Sequence, residues 1–179
     1  MLFGIAEEIG KVWELLGDPL RILPLLEKLS AVEETVVRDE VHPYPTHLTQ
    51  AAKSINKIAK TLSDGEVQNE LAPMVIRLAS ADWFTSRVSA CALFYDCYPK
   101  AGAQKEKLRK KFVDLCTEET PMVRRAGATR LGLFATQVEK PFVLSELVPV
   151  FRQLANDEQD TIRVLCINSL AALANYLNK

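Results

Sequence analysis

An arginine returns at residues 38, 87, 124 and 163, and much the same surroundings return with it. Fourteen residues before Arg38, Arg87, Arg124 and Arg163 stand Pro24, Pro73, Lys110 and Pro149. Each lies in a segment whose apolar residues recur at helical spacing: Ile22, Leu26 and Leu29; Leu71, Val75 and Leu78; Leu108, Phe112 and Leu115; Leu147, Phe151 and Leu154. Five residues before each arginine is an acid: Glu33, Asp82, Glu119 and Glu158. The arginines are separated by 49, 37 and 39 residues. A chain that writes one pattern four times at this interval is constrained to a stack of equivalent units, each burying its apolar face on the next.

The unit reads as a first helix, a short turn and a second helix, the HEAT or armadillo class of solenoid. The expected fold is all-α, a right-handed α-α superhelix of antiparallel helix pairs. Among the second helices, TPMVRRAGATRLGLFA opens with Thr120 as N-cap and Pro121 at the first helical position, where its missing N–H costs nothing. Its apolar face runs through Val123, Ala126, Leu131 and Phe134, and DTIRVLCINSLAALANYL repeats this through Ile162, Cys166, Leu170 and Leu173. The opening LFGIAEEIGKVWELLGDP has the length of a second helix without its first. The array then divides into residues 1–17, the second helix of a truncated repeat, followed by repeats at 18–64, 65–100, 101–140 and 141–179.

The first interval is about ten residues too long. The surplus lies in DEVHPYPTHLTQ, at about 39–50, where Pro43 and Pro45 cannot both sit inside a helix. Ala51, Ile55, Ile58 and Leu62 form one face that extends back to Leu48, so a helix is expected to start near Thr46 behind an enlarged exposed loop. A helical turn over residues 35–39 before the break is the competing reading. Both histidines, His42 and His47, fall in this insertion, without the cysteine partners of a zinc site, and no metal or cofactor is expected.

Composition excludes several functions. Lysine plus arginine is 22 against 23 acids, a net charge of −1, which lacks the basic excess of nucleic-acid binders. No apolar run reaches membrane-spanning length. The four cysteines form no CxxC pair and sit among alanines and leucines, as buried free thiols do in a reducing compartment. There is no GxGxxG or GxxxxGK[ST] phosphate cradle, and the two loop histidines cannot be the rigidly held base of a nucleophilic triad. The carboxylate pairs Glu33–Glu34 and Glu118–Glu119 stand where turns are expected, with nothing apolar nearby to raise a pKa. The chain is therefore read as a non-enzyme.

The turns are the candidate working surface. SADWFTSR places Trp83 and Phe84 between helices, in line with AVEET, TEETPM and NDEQDT of the other units. Stacked repeats align such turns into a ridge in which aromatic anchors supply binding energy and acids set register. The recurrent arginines Arg38, Arg87, Arg124 and Arg163 read as a structural ladder, each pairing with an acid or carbonyl of its own or the next repeat. Arg125, beside Arg124, has no place in that ladder and is free to face a partner.

In this order and spacing, VEETVVRD, DWFTSR, TPMVRRA and LANDEQDTIR closely resemble the scaffolding A subunit family of protein phosphatase type 2A. The likeness covers nearly the whole chain apart from the insertion. It implies a non-catalytic array, here the N-terminal part, whose turns bind interchangeable regulatory B subunits. Carried over, the ridge comprises Glu33, Glu34, Trp83, Phe84, Glu119, Thr120, Pro121, Met122, Arg125 and Asp160. The catalytic subunit would dock on C-terminal repeats absent here. A cytoplasmic location is implied, with the nucleus as a further one. Self-association through residues 1–17 or 160–179 is also expected, because uncapped repeats leave apolar faces bare.

Two rival readings stand beside this one. An adaptor of the transport or chromatin class would grip a peptide or nucleic acid on its concave face, and would need ordered asparagines or a basic stripe there. The second helices read as small and apolar instead. An enzyme built on helical repeats would need an acid or histidine in a lined cleft.

Overall fold

A computed structural model describes residues 18–31 and 46–177. The readings placed on residues 1–17, on Glu33, Glu34 and Arg38 and on the loop containing His42 lie outside the described residues.

The described residues form four helix pairs: α1 (Leu23–Ser30) with α2 (Thr46–Thr61), α3 (Ala72–Ala79) with α4 (Phe84–Cys91), α5 (Lys105–Thr117) with α6 (Pro121–Ala135), and α7 (Val148–Leu154) with α8 (Asp160–Leu177). Two layers result. The first helices α1, α3, α5 and α7 pack in series, and the second helices α2, α4, α6 and α8 pack in series behind them. This is the all-α HEAT-type solenoid that the recurrence requires. The helix expected near Thr46 runs Thr46–Thr61, and this sets His47 in its first turn rather than in a loop.

Apolar spacing becomes burial. Leu71, Val75 and Leu78 of the second pair and Leu108, Phe112 and Leu115 of the third are all buried, as are Ala51, Ile55, Ile58 and Leu62. The centre is aromatic: Phe94, Phe112, Phe134 and Tyr98 meet in ring contacts, with the Phe112 and Phe134 centroids 4.3 Å apart. One residue departs from the expected face. Leu170 is 44 % exposed, while Ser169 is buried and donates to the Ala128 carbonyl at 2.8 Å. The equivalent of Leu170 in α6 is Leu131, which is buried because α8 lies against α6. Among the described residues nothing covers the same face of α8, so Ile167 and Leu170 stand bare.

The prolines shape the first helices. The N–H of Ala72, just before Pro73, bonds to the Val67 carbonyl, and that of Val148, before Pro149, bonds to the Val143 carbonyl. Both are five-residue steps, so a π-turn (Val67–Leu71, Val143–Leu147) precedes each proline. The wider turn gives the ring room at the carbonyl it would otherwise strike. Lys110 keeps its N–H, and α5 is regular from Lys105 to Thr117.

Gly132 lets two second helices meet. A Cβ there would lie 2.7 Å from the Ser169 carbonyl oxygen, a backbone atom that cannot step aside.

Candidate functional site

The turns between paired helices are bonded to one another by arginines. Arg87 starts near the head of α4 and turns its guanidinium back under its own turn, donating to the Ala81 and Asp82 carbonyls at 2.8 and 2.6 Å. The other edge of the guanidinium reaches the next turn, to Glu118 at 2.9 and 3.2 Å and to the Thr120 hydroxyl at 3.3 Å. Arg124 repeats the arrangement one unit on. It donates to the Glu118 and Glu119 carbonyls at 3.0 and 2.9 Å, and to Asp157 at 2.8 and 3.2 Å and Glu158 at 3.2 Å. Arg163 donates to the Asp157 and Glu158 carbonyls and pairs with Asp160 of its own helix.

The acid five residues before each of these arginines thus contributes its main-chain carbonyl, while the carboxylate that pairs Arg87 or Arg124 comes from the following unit. Arg124 and Asp157 are shielded, with 10 % and 7 % of their side chains exposed. The guanidinium holds the Asp157 carboxyl below its ordinary value. Thr120 stands at the N-cap of α6, but its hydroxyl accepts from Arg87 instead of capping the helix.

Outward from this ladder lie the residues assigned to a binding ridge. Trp83 is the N-cap residue of α4 in extended conformation, and it is 47 % exposed. Phe84, next to it, opens the helix and turns inward against the core. Adjacent rings therefore divide, one to solvent and one to packing. Glu119, Pro121 and Asp160 are exposed, while Thr120 and Met122 are half-buried and Met122 packs on the core. Arg125 is half-buried, takes no ion pair among the described residues, and has a buried Nε without a partner.

The second-helix layer corrects the reading of it as small and apolar. Neither α2, α4 nor α6 contains an acidic residue. Lys53, Arg125 and Arg130 stand on this layer without an ion pair among the described residues.

A second polar network was not apparent in the sequence. Arg109 is buried, donates to Glu146 at 3.0 Å and to the Tyr98 hydroxyl at 2.9 Å, and lies 3.7 Å from the Phe142 ring centroid. Tyr98 in turn donates to Glu139 at 2.7 Å, and Lys105 bonds the other Glu139 oxygen at 2.8 Å. Burial and the bond to Glu139 push the Tyr98 phenol up to about 12. Burial raises Glu139, but the Lys105 ammonium and the Tyr98 hydroxyl outweigh it and hold that carboxyl at about 2. Arg109 sits amid Lys107, Lys110 and Lys111, and only its place beside Leu108 on the buried face distinguishes it in the sequence.

The four cysteines are buried and free. Burial lifts the thiols of Cys91 and Cys97 to about 12 and that of Cys166 to about 11, so they remain protonated and unreactive.

Fold and edge together define a HEAT-type helical-repeat scaffold, an array that presents its turns along one edge. No family model matches the chain. It is 42 % identical over its whole length to a probable serine/threonine-protein phosphatase PP2A regulatory subunit of Caenorhabditis elegans, covering 29 % of that relative. It is 43 % identical over 84 % of its length to the protein phosphatase 2A scaffold subunit of Dictyostelium discoideum, covering 25 % of it. With the serine/threonine-protein phosphatase PP2A 65 kDa regulatory subunit of Drosophila melanogaster the identity is 42 % over 80 % of the chain and 23 % of the relative. The chain belongs to the family of these phosphatase scaffold subunits and spans less than a third of the length of the relatives it matches.

Proposed function

We propose that the chain is a non-catalytic scaffold segment whose turn edge docks a regulatory B subunit of protein phosphatase 2A. One observation carries this: Arg87 and Arg124 tie three successive turns edge to edge, so exposed Trp83, Glu119, Pro121 and Asp160 are held in fixed relation. An exposed tryptophan flanked by acids on a rigid edge supplies an anchor and a register, the two ingredients of a specific protein contact. The contribution is geometric: one partner is held at a fixed place on a longer array. On this reading the catalytic subunit docks on other repeats of the longer family members. The division into repeats at 18–64, 65–100, 101–140 and 141–179 is part of the same proposal. The buried free thiols support a reducing setting, in the cytoplasm and the nucleus.

The test titrates the purified chain with a regulatory B subunit in one series and with the catalytic subunit in another, Trp83→Ala serving as the variant. Saturable binding of only the regulatory subunit, weakened about tenfold or more by Trp83→Ala, is expected for a hot-spot anchor. Binding unaffected by Trp83→Ala would remove the edge from the proposal. Absence of binding would remove the partner.

A further inference from the structure

Charge in this molecule is sorted by layer. Although the net charge is −1, the acids of the described pairs lie on the first helices (Glu27, Glu106, Asp114), in the π-turn before α7 (Glu146) and at the turns (Glu118, Asp157), with Asp160 at the first position of α8. The second helices α2, α4 and α6 carry none. Asp96, after α4, has its carboxyl raised by burial against the opposing charge of Lys60, and the charges of both Glu118 and Arg130 reach Cys91 in this layer.

Between α2, α4 and α6 lies a cavity of about 90 Å³ whose lining includes Lys53, Asn56, Ser89, Thr129 and Arg130. That is several times the ~10–15 Å³ that one water needs. The rest of its lining is apolar and includes Ala52, Val88 and Ala126.

Two polar atoms in the lining are unsatisfied. Ser89 is 3 % exposed and its hydroxyl has no hydrogen-bond partner among the described residues. Asn56 donates through Nδ2 to the Ala92 carbonyl at 3.0 Å, which fixes its amide and leaves Oδ1 buried and unpartnered. Buried polar groups are nearly always bonded, so an unpartnered hydroxyl and an unpartnered amide oxygen on two residues that line one cavity mark a place for a ligand that supplies both bonds. Two cations, Lys53 and Arg130, stand at the same cavity without an ion pair among the described residues.

We propose that this cavity binds an aspartate or glutamate side chain of an extended acidic segment of a partner protein. The carboxylate accepts from the Ser89 hydroxyl and from Lys53 and Arg130, charge-assisted bonds that a neutral group cannot make. An N–H of the same peptide donates to Asn56 Oδ1. A nucleic acid suits the site less well: it needs a continuous track of cations, and the turn edge of this array exposes Asp82, Glu119 and Asp160. The site lies on the second-helix layer and does not depend on the turn-edge reading.

The experiment is a fluorescence-anisotropy titration of the full chain with a short labelled Gly/Ser peptide carrying a central run of glutamates. Its glutamine counterpart and a single-stranded oligonucleotide serve as comparisons. Saturable, salt-sensitive binding of the glutamate peptide is expected, weakened about tenfold or more by glutamine in the peptide, by Arg130→Gln and by Ser89→Ala. Ser89→Ala should leave thermal stability unchanged or raised, because it deletes an unsatisfied hydroxyl; lost binding with retained fold is a result that a purely structural serine cannot give. Equal binding of both peptides, no binding, tighter binding of the oligonucleotide, or indifference to both substitutions would overturn the proposal, the last two leaving a nucleic-acid site or a water-filled gap in its place.

Discussion

Arg124 and Arg163 hold the same register position in successive units, yet they stand in different surroundings. Arg124 is shielded against Asp157, with 10 % and 7 % of the side chains exposed, whereas Arg163 and its partner Asp160 are 39 % and 85 % exposed. Breaking a buried pair strands a charge and costs about 3 kcal/mol, and an exposed pair is worth less than about 1 kcal/mol. Arg124→Ala should therefore lower the urea midpoint far more than Arg163→Ala, and equal losses would show that shielding is not what matters. The Tyr98–Glu139 pair sets a pH window. Glu139 falls from 4.5 to about 2 on folding, so its stabilisation is present above pH 4.5 and is lost as pH falls toward 2. Tyr98 rises from 10 to about 12, so its contribution is full below pH 10 and is lost as pH climbs to 12. Thermal melts across pH should decline on both sides, and Tyr98→Phe should flatten the alkaline decline. The arginines of the ladder are legible in the sequence because they recur. Their partners are not, since main-chain carbonyls carry no sequence signature and Glu118 and Asp157 lie 31 and 33 residues away.

At the scale of the element, the first helices differ by one position. Pro73 and Pro149 follow π-turns, while Lys110 sits in a regular α5. Lys110→Pro should cost about 3 kcal/mol, because it removes an N–H from a helix that has no widened turn to receive the ring. A two-state denaturation curve would show the loss, and an unchanged midpoint would mean that α5 rewinds as its neighbours do. Gly132→Ala should cost about 1–3 kcal/mol, since the new methyl meets the backbone of α8. The helices and their buried faces are readable from the 3.6-residue period. The π-turns are not, because a proline inside a helical pattern reads equally as a kink, a break or a widened turn until the carbonyls are placed.

For the whole molecule, two layers and their order follow from the repeat interval, and the sorting of charge between layers does not. Counting residues along the chain mixes both layers into a near-zero balance; only stacking separates Lys53 and Arg130 from the acids of the first helices. The bare face of α8 is likewise a property of the stack. Val164, Ile167 and Leu170 are 57 %, 61 % and 44 % exposed, on the side that in α6 receives the next unit. An apolar helix face of this kind drives association. The free chain should show a concentration-dependent mass by sedimentation, and Ile167→Glu should hold it monomeric. A monomer at every concentration would show that this face tolerates water.

The arginine ladder also governs how such an array can be copied. The turns that carry Glu118 and Asp157 each provide carbonyls for the arginine that follows and a carboxylate for the arginine of the unit before. A duplicate of either of these two units therefore arrives with both halves of the joint already in its gene segment: its acid meets the existing arginine upstream, and its arginine meets the existing acid downstream. Whole units can be gained or lost by recombination without a compensating substitution at either junction. A change of arginine or acid within one unit must be answered in its neighbour. Divergence in arrays of this kind should consequently spare the joints and accumulate on the outward residues of the turns, where new partners are chosen.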